Sequence, residues 1–88
     1  MLSFFMWIYK ITNLLNNKVY IGQTIRTVQS RWRRHILDAK NNKLNTHFAR
    51  AIRKYGEENF SVEIIDTANS AEELTQKESN YIIKYNSI

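Results

Sequence analysis

Eighty-eight residues, 43% hydrophobic and 24% charged with a net charge of +5, describe one small folded domain over 1–88 rather than a disordered tail. The absence of cysteine excludes disulfides, thiolate zinc sites and cysteine nucleophiles, and two histidines are too few for a histidine metal cage. No apolar run reaches the ~18 residues of a membrane span. The apolar start lacks a basic leader and runs into Tyr9-Lys10, so a cytoplasmic chain is expected.

In chain order, residues 6–12 are β-branched and aromatic and predict a strand, and residues 18–22 predict a second. Asn16 and Asn17 tolerate positive φ and are expected to form a two-residue hairpin turn, which places Asn13 opposite Tyr20. Tyr9, Ile11, Asn13, Tyr20 and Gly22 then share one face. Residues 28–41 predict a helix with Val28, Trp32, Ile36 and Ala39 as its apolar stripe, and Arg31 and His35 as an i, i+4 pair along the stripe's edge. Arg33 and Arg34 are expected to point to solvent. A shorter helix is expected over 46–55, with Phe48, Ala51, Ile52 and Tyr55 inward and Gly56 at its C-cap. Residues 60–66 predict a third strand with Phe60, Val62 and Ile64 facing the core. Ser70 to Glu73 has the form of a capping box and opens a last helix with Ala71, Leu74, Tyr81, Ile82 and Tyr85 apolar. Together these elements predict a small α/β (α+β) domain, a three-stranded antiparallel sheet flanked by helices.

Two features of that layout carry chemistry. Residues 26–54 hold nine Lys and Arg against the single acid Asp38, whereas residues 55–88 hold Lys77 and Lys84 against seven acids. Such a block suggests a polyanionic partner, although a solvated helix face is the ordinary alternative. Glu78 falls between Leu74 and Ile82, inside the apolar stripe of the last helix. A carboxylate there is costly unless it is paired, reaches solvent or binds a cation, and Arg31 is its candidate ion-pair partner. Taken one at a time, Tyr9 and Tyr20 read as half-buried strand aromatics, Arg31 and His35 as decoration of a solvated face, and His35 equally as a hydrogen-bonded residue at the core edge. Taken together, two tyrosines, an arginine, a histidine and a glutamate are the groups of metal-assisted phosphodiester cleavage. The carboxylate holds a divalent cation, the arginine stabilises charge on the phosphate, and a tyrosine activates water.

Four blocks in order then resemble the GIY-YIG nuclease superfamily, closest to the catalytic domains of phage and intron-type homing endonucleases. Trp7-Ile8-Tyr9 and Tyr20-Ile21-Gly22 resemble its paired tripeptides. Residues 30–35 look like its catalytic-arginine helix, residues 51–60 like the approach to its third strand, and residues 72–82 like its metal-binding helix. The resemblance implies Tyr9 as general base and Tyr20 as the residue orienting water or phosphate. It implies Arg31 as the catalytic arginine, His35 as support for the phosphate or leaving group, and Glu78 as the ligand of one Mg²⁺ or Mn²⁺. Gly22 lets the backbone turn close beside the site. Arg26, Arg33, Arg34, Lys40, Arg50, Arg53 and Lys54 are the candidate DNA-binding residues. The chain departs from the family at Trp7, where the motif has glycine. Residues 1–5 have no counterpart, and Asn86 does not match the family's late asparagine, so no role passes to it. The expectation is a metal-dependent DNA endonuclease without a small-molecule cofactor or a membrane partner, a monomer or a dimer on DNA. Its rivals are a catalytically weak nucleic-acid-binding module and an interaction domain that binds no nucleic acid.

Overall fold

A computed structural model describes residues 6–41 and 46–87. Its elements are β1 (Met6–Asn13), β2 (Val19–Thr24), α1 (Val28–Lys40), α2 (His47–Tyr55), a 3-10 turn (Glu57–Asn59), β3 (Phe60–Ala68) and α3 (Ala71–Tyr85). The sheet order is β2-β1-β3, with both pairings antiparallel, as the sequence predicts.

The hairpin differs from expectation by two residues of register. Ile11, not Asn13, lies opposite Tyr20, and Tyr9 lies opposite Gly22. The loop is longer than a two-residue turn because asparagines close it at several points. The Asn17 N–H donates to the Asn13 carbonyl at 2.7 Å, and Asn17 takes φ 62°. The Asn13 and Asn16 side-chain oxygens accept from the Leu15 and Lys18 amides, both at 2.9 Å. A slip of two preserves the alternation of faces, so Tyr9, Ile11 and Tyr20 still point to one layer.

That layer is covered by α1 and α2. Tyr9, Ile11, Val28, Ala39, Phe48, Ala49 and Ile52 form its buried core, with Trp32, Phe60 and Val62 packed against it. Thr27 and Thr46 cap the two helices, each hydroxyl accepting the amide three residues on at 3.1 Å. Gly56 ends α2 at φ 85°, the positive φ for which glycine is suited. The opposite face of the sheet is covered by α3, where Ile8, Ile21, Ala68 and Leu74 pack with Ile65, Tyr81 and Tyr85. Two residues placed on the apolar stripe of α3 fall outside this core: Ala71 is exposed in the first turn, and Ile82 lies on the outer side.

The third strand also departs from simple alternation. Tyr9 pairs with Ile64 but Ile8 pairs with Asp66, so Ile65 is an extra residue, a β-bulge. Phe60 and Val62 face the core as predicted. Ile64 shares their face but is 52% exposed, because it lies past the cover of α1 and α2. Beyond the bulge the strand changes face, and Asp66 and Ala68 turn toward α3. There the Tyr81 hydroxyl donates to Asp66 Oδ2 at 2.9 Å and Lys77 donates to Asp66 Oδ1 at 3.2 Å. Among the described residues no helix is long and apolar enough to cross a membrane.

Candidate active site

Tyr9 comes from the central strand, Tyr20 from the edge strand β2, and His35 and Arg31 from one side of α1. The Tyr9 hydroxyl lies 2.9 Å from His35 Nε2. The His35 ring is enclosed on three sides, T-shaped to Tyr20 at 5.5 Å and to Phe48 at 5.0 Å, and edge-on to Tyr9 at 6.2 Å. Tyr20 in turn stacks on Phe48 at 4.2 Å and 5°. Burial and then the Arg31 charge push the His35 pKa down to about 4, against a smaller opposing pull from Asp38. His35 is therefore neutral at physiological pH.

Burial dominates the tyrosines as well. Tyr9 is pushed up to about 12, first by burial and then by Tyr20, while the charge and hydrogen bond of Arg31 pull it down and Glu78 raises it. Burial likewise raises Tyr20, again with Arg31 opposing and Glu78 assisting. Arg31 alone does not bring either phenol toward neutrality. Without a bound cation, desolvation wins over that single positive charge. With Nε2 unprotonated, His35 accepts the Tyr9 hydroxyl proton, and with Nε2 protonated it donates to the phenol oxygen, so the direction of this bond follows the imidazole tautomer.

Glu78 belongs to the same electrostatic centre, since its charge acts on both phenols. On α3 it continues the row of Ala71, Leu74 and Thr75, which lines a cleft of about 690 Å³ shared with Gln23, Arg26, Arg31 and Arg34. Glu78 is half-buried, and burial raises its pKa. Among the described residues it forms no ion pair, with Arg31 or any other group. A desolvated carboxylate without a positive partner suits a hard divalent cation. No group of three or more His, Asp or Glu among the described residues forms a closed cage. One carboxylate is enough for a Mg²⁺-type ion that keeps its waters and takes phosphate oxygens from a substrate.

Gly22 faces Tyr9 across the ladder. A Cβ at Gly22 would lie 2.4 Å from both Cζ and Oη of Tyr9, so any side chain would displace the phenol. The basic candidates separate into groups. Arg26 and Arg34 stand with Arg31 in the cleft, although Arg34, expected to point away, also pairs with Asp38 at 3.4 Å. Arg33 is exposed. Lys40 pairs with Glu57 at 3.2 Å, and Arg53 donates to the Ala39 carbonyl at 3.0 Å, tying α2 to the end of α1. Arg50 and Lys54 are exposed and line a second cavity between α2 and the hairpin. Sequence reasoning missed Phe48 as a wall of the His35 site, since Phe48 carried only a core signal. Among the described residues Gln23 Oε1 is buried without a hydrogen bond.

The family model of the GIY-YIG catalytic domain matches residues 5–87. Protein 019R of Invertebrate iridescent virus 6 is 36% identical over 84 residues, covering 93% of this chain and 30% of its own length. The segB protein of Enterobacteria phage T4, described as a candidate endonuclease, is 36% identical over 78 residues, covering 89% and 32%. The chain thus spans about a third of the length of the curated relatives it matches. Among solved structures, the catalytic domain of intron endonuclease I-TevI is similar with a TM-score of 0.82 at 27% identity, covering 93% of this chain and 84% of that one. A second structure of that domain gives a TM-score of 0.79 at 28% identity, covering 92% and 88%. With a family model spanning nearly the whole chain and the same sheet and helices in a solved relative, this chain belongs to the GIY-YIG catalytic domain family.

Proposed function

We propose that this domain hydrolyses phosphodiester bonds of DNA and that Glu78 holds the one divalent cation the reaction uses. The observation that carries the reading is the Tyr9–His35 pair, 2.9 Å apart, with Arg31 and Glu78 both acting electrostatically on the same phenol. In this reading Arg31 binds the scissile phosphate and offsets the charge that grows on it. The Tyr9 oxygen takes the proton of the attacking water while its own proton has a neutral acceptor in His35 Nε2. Tyr20, held flat against Phe48, orients the phosphate. A cation at Glu78, when bound, neutralises phosphate charge and adds a second positive field beside the phenols. Arg26 and Arg34 steer the strand into the cleft, and Gly22 keeps the approach to Tyr9 open.

Supercoiled plasmid incubated with Mg²⁺ or Mn²⁺ tests the reading. Conversion to the nicked or linear form, stopped by a chelator, is the expected result. Plasmid retained on the protein but intact with every divalent ion tried would leave a binding module and overturn the assignment.

A further inference from the structure

A cavity of about 230 Å³ lies between the hairpin and α2, separate from the cleft of Arg31. Its apolar walls include Tyr20, Phe48, Tyr55 and Phe60. Its rim carries Lys18 from the hairpin and Arg50 and Lys54 from α2, and no Asp or Glu lines it. The sequence of α2 explains this composition. Phe48, Ala49 and Ile52 turn into the core, which leaves His47, Arg50, Ala51 and Lys54, spaced i, i+3, i+4 and i+7, as a second face along the cavity. Ala51 is the small residue between two long cations, and it makes the room. Among the described residues neither Lys18 nor Arg50 has an ion-pair partner, and Lys54 Nζ stands 5.2 Å over the Tyr55 ring.

Aromatic walls under an all-cationic rim fit a ligand that is flat and apolar at one end and anionic at the other. Inorganic phosphate has no use for the walls, and an uncharged aromatic has no use for three cations. The volume falls just under the ~300–1,000 Å³ of drug-sized sites and suits a single base. Tyr20 belongs both to this cavity and to the group around His35, so a strand crossing Tyr20 reaches both. We propose that the cavity is a subsite for one nucleotide of a nucleic-acid strand, its base unstacked among the aromatic walls and its phosphate at Lys18, Arg50 and Lys54. The assignment rests on the nuclease reading above and extends it to substrate recognition beside the reacting centre.

Amide chemical shifts of the ¹⁵N-labelled protein, titrated with thymidine 5′-monophosphate, inorganic phosphate and a short oligothymidylate, provide the test. The mononucleotide should give saturable shifts at Lys18, Tyr20, Arg50 and Ala51, where equal phosphate does not. The oligothymidylate should bind more tightly and extend the shifts to Arg31 and His35. Ala51→Leu fills the floor with a good helix former and should weaken the mononucleotide about tenfold or more. Arg50→Ala with Lys54→Ala, both at exposed positions, should do the same with the fold intact. Phosphate shifting these amides as well as the mononucleotide, or no saturable shift at all, would overturn the subsite. An oligothymidylate no tighter than the monomer, leaving Arg31 and His35 unmoved, would mark a free-nucleotide site and overturn the strand assignment. No cleavage is read here, so the outcomes separate: plasmid nicking without these shifts removes the subsite alone, and the shifts without nicking remove the nuclease reading alone.

Discussion

Neighbouring residues of β1 serve opposite faces of the sheet and opposite purposes. Ile8 is 0% exposed under α3, and Tyr9 is 1% exposed under α1 and α2. The Ile8 layer packs Ile21, Ala68 and Leu74 under α3, the helix that also carries Glu78. The Tyr9 layer is aromatic and leads to a neutral histidine and an arginine. Depth of burial does not distinguish the layers; the polarity of what each buried group touches does. A single strand thus anchors both cores, and its Tyr9 is, in the proposed mechanism, also the residue that meets substrate.

The sharpest way to break this contrast is Glu78→Gln. The amide is a poor ligand for a hard cation, so metal-dependent nicking should fall to background while the melting temperature stays within a few degrees. Parent-like nicking would place the cation elsewhere. Tyr9→Phe removes one hydroxyl and should slow single-turnover cleavage by about 10²–10⁴ with DNA binding nearly unchanged. Tyr20→Phe should lose less rate, since its role is orientation; equal losses would make the two phenols equivalent.

Ile8→Ala is the counterpart on the other layer. It should destabilise the domain by ~2–5 kcal/mol in urea unfolding, a large part of the ~5–15 kcal/mol typical of a domain, while the folded fraction cleaves at the parent rate. A rate loss beyond the loss of folded protein would show that the two layers are coupled.

Acid sensitivity gives a smaller effect. In the folded protein His35 stays neutral down to about pH 4, whereas its ordinary pKa is 6.5. Between those values the unfolded chain binds the extra proton, so this contribution is complete above pH 6.5 and is lost as pH falls toward 4. His35→Gln should flatten the fall in melting temperature across that window; an unchanged slope would remove His35 as the cause. The smallest effect is expected at the exposed pair. Arg33→Glu with Arg34→Glu should weaken DNA binding and lower its salt dependence without altering which metals support cleavage. An affinity indifferent to salt would contradict a phosphate-gripping role.

Much of the fold was legible because periodicity survives error. The hairpin register was off by two, yet Tyr9 and Tyr20 share a face, since only an odd slip exchanges faces. Ser70 opens α3 and Gly56 ends α2 where local chemistry says they should, whereas the Thr27 and Thr46 caps went unread. Long-range packing was not legible. The high pKa of Tyr9 depends on how helices distant in sequence shut water away from it. One partner of Arg53 is a backbone carbonyl in the last turn of α1, which no side-chain pattern announces. The exposure of Ile64 reflects where the covering helices stop, a property of other segments.

The bulge at Ile65 lets even-numbered residues of β3 serve both faces of the sheet. Upstream of it the strand is in phase with the Tyr9 layer, and downstream Asp66 and Ala68 are in phase with α3. Replacing Ile65 by another apolar residue keeps that arrangement. Deleting it leaves Ile64 opposite Tyr9 and Asp66 opposite Ile8, so Asp66 stays beside Tyr81 and Lys77 and the loss is the Ile65 side chain in the α3 layer. Lineages of this domain should therefore tolerate the loss of this position as well as its exchange.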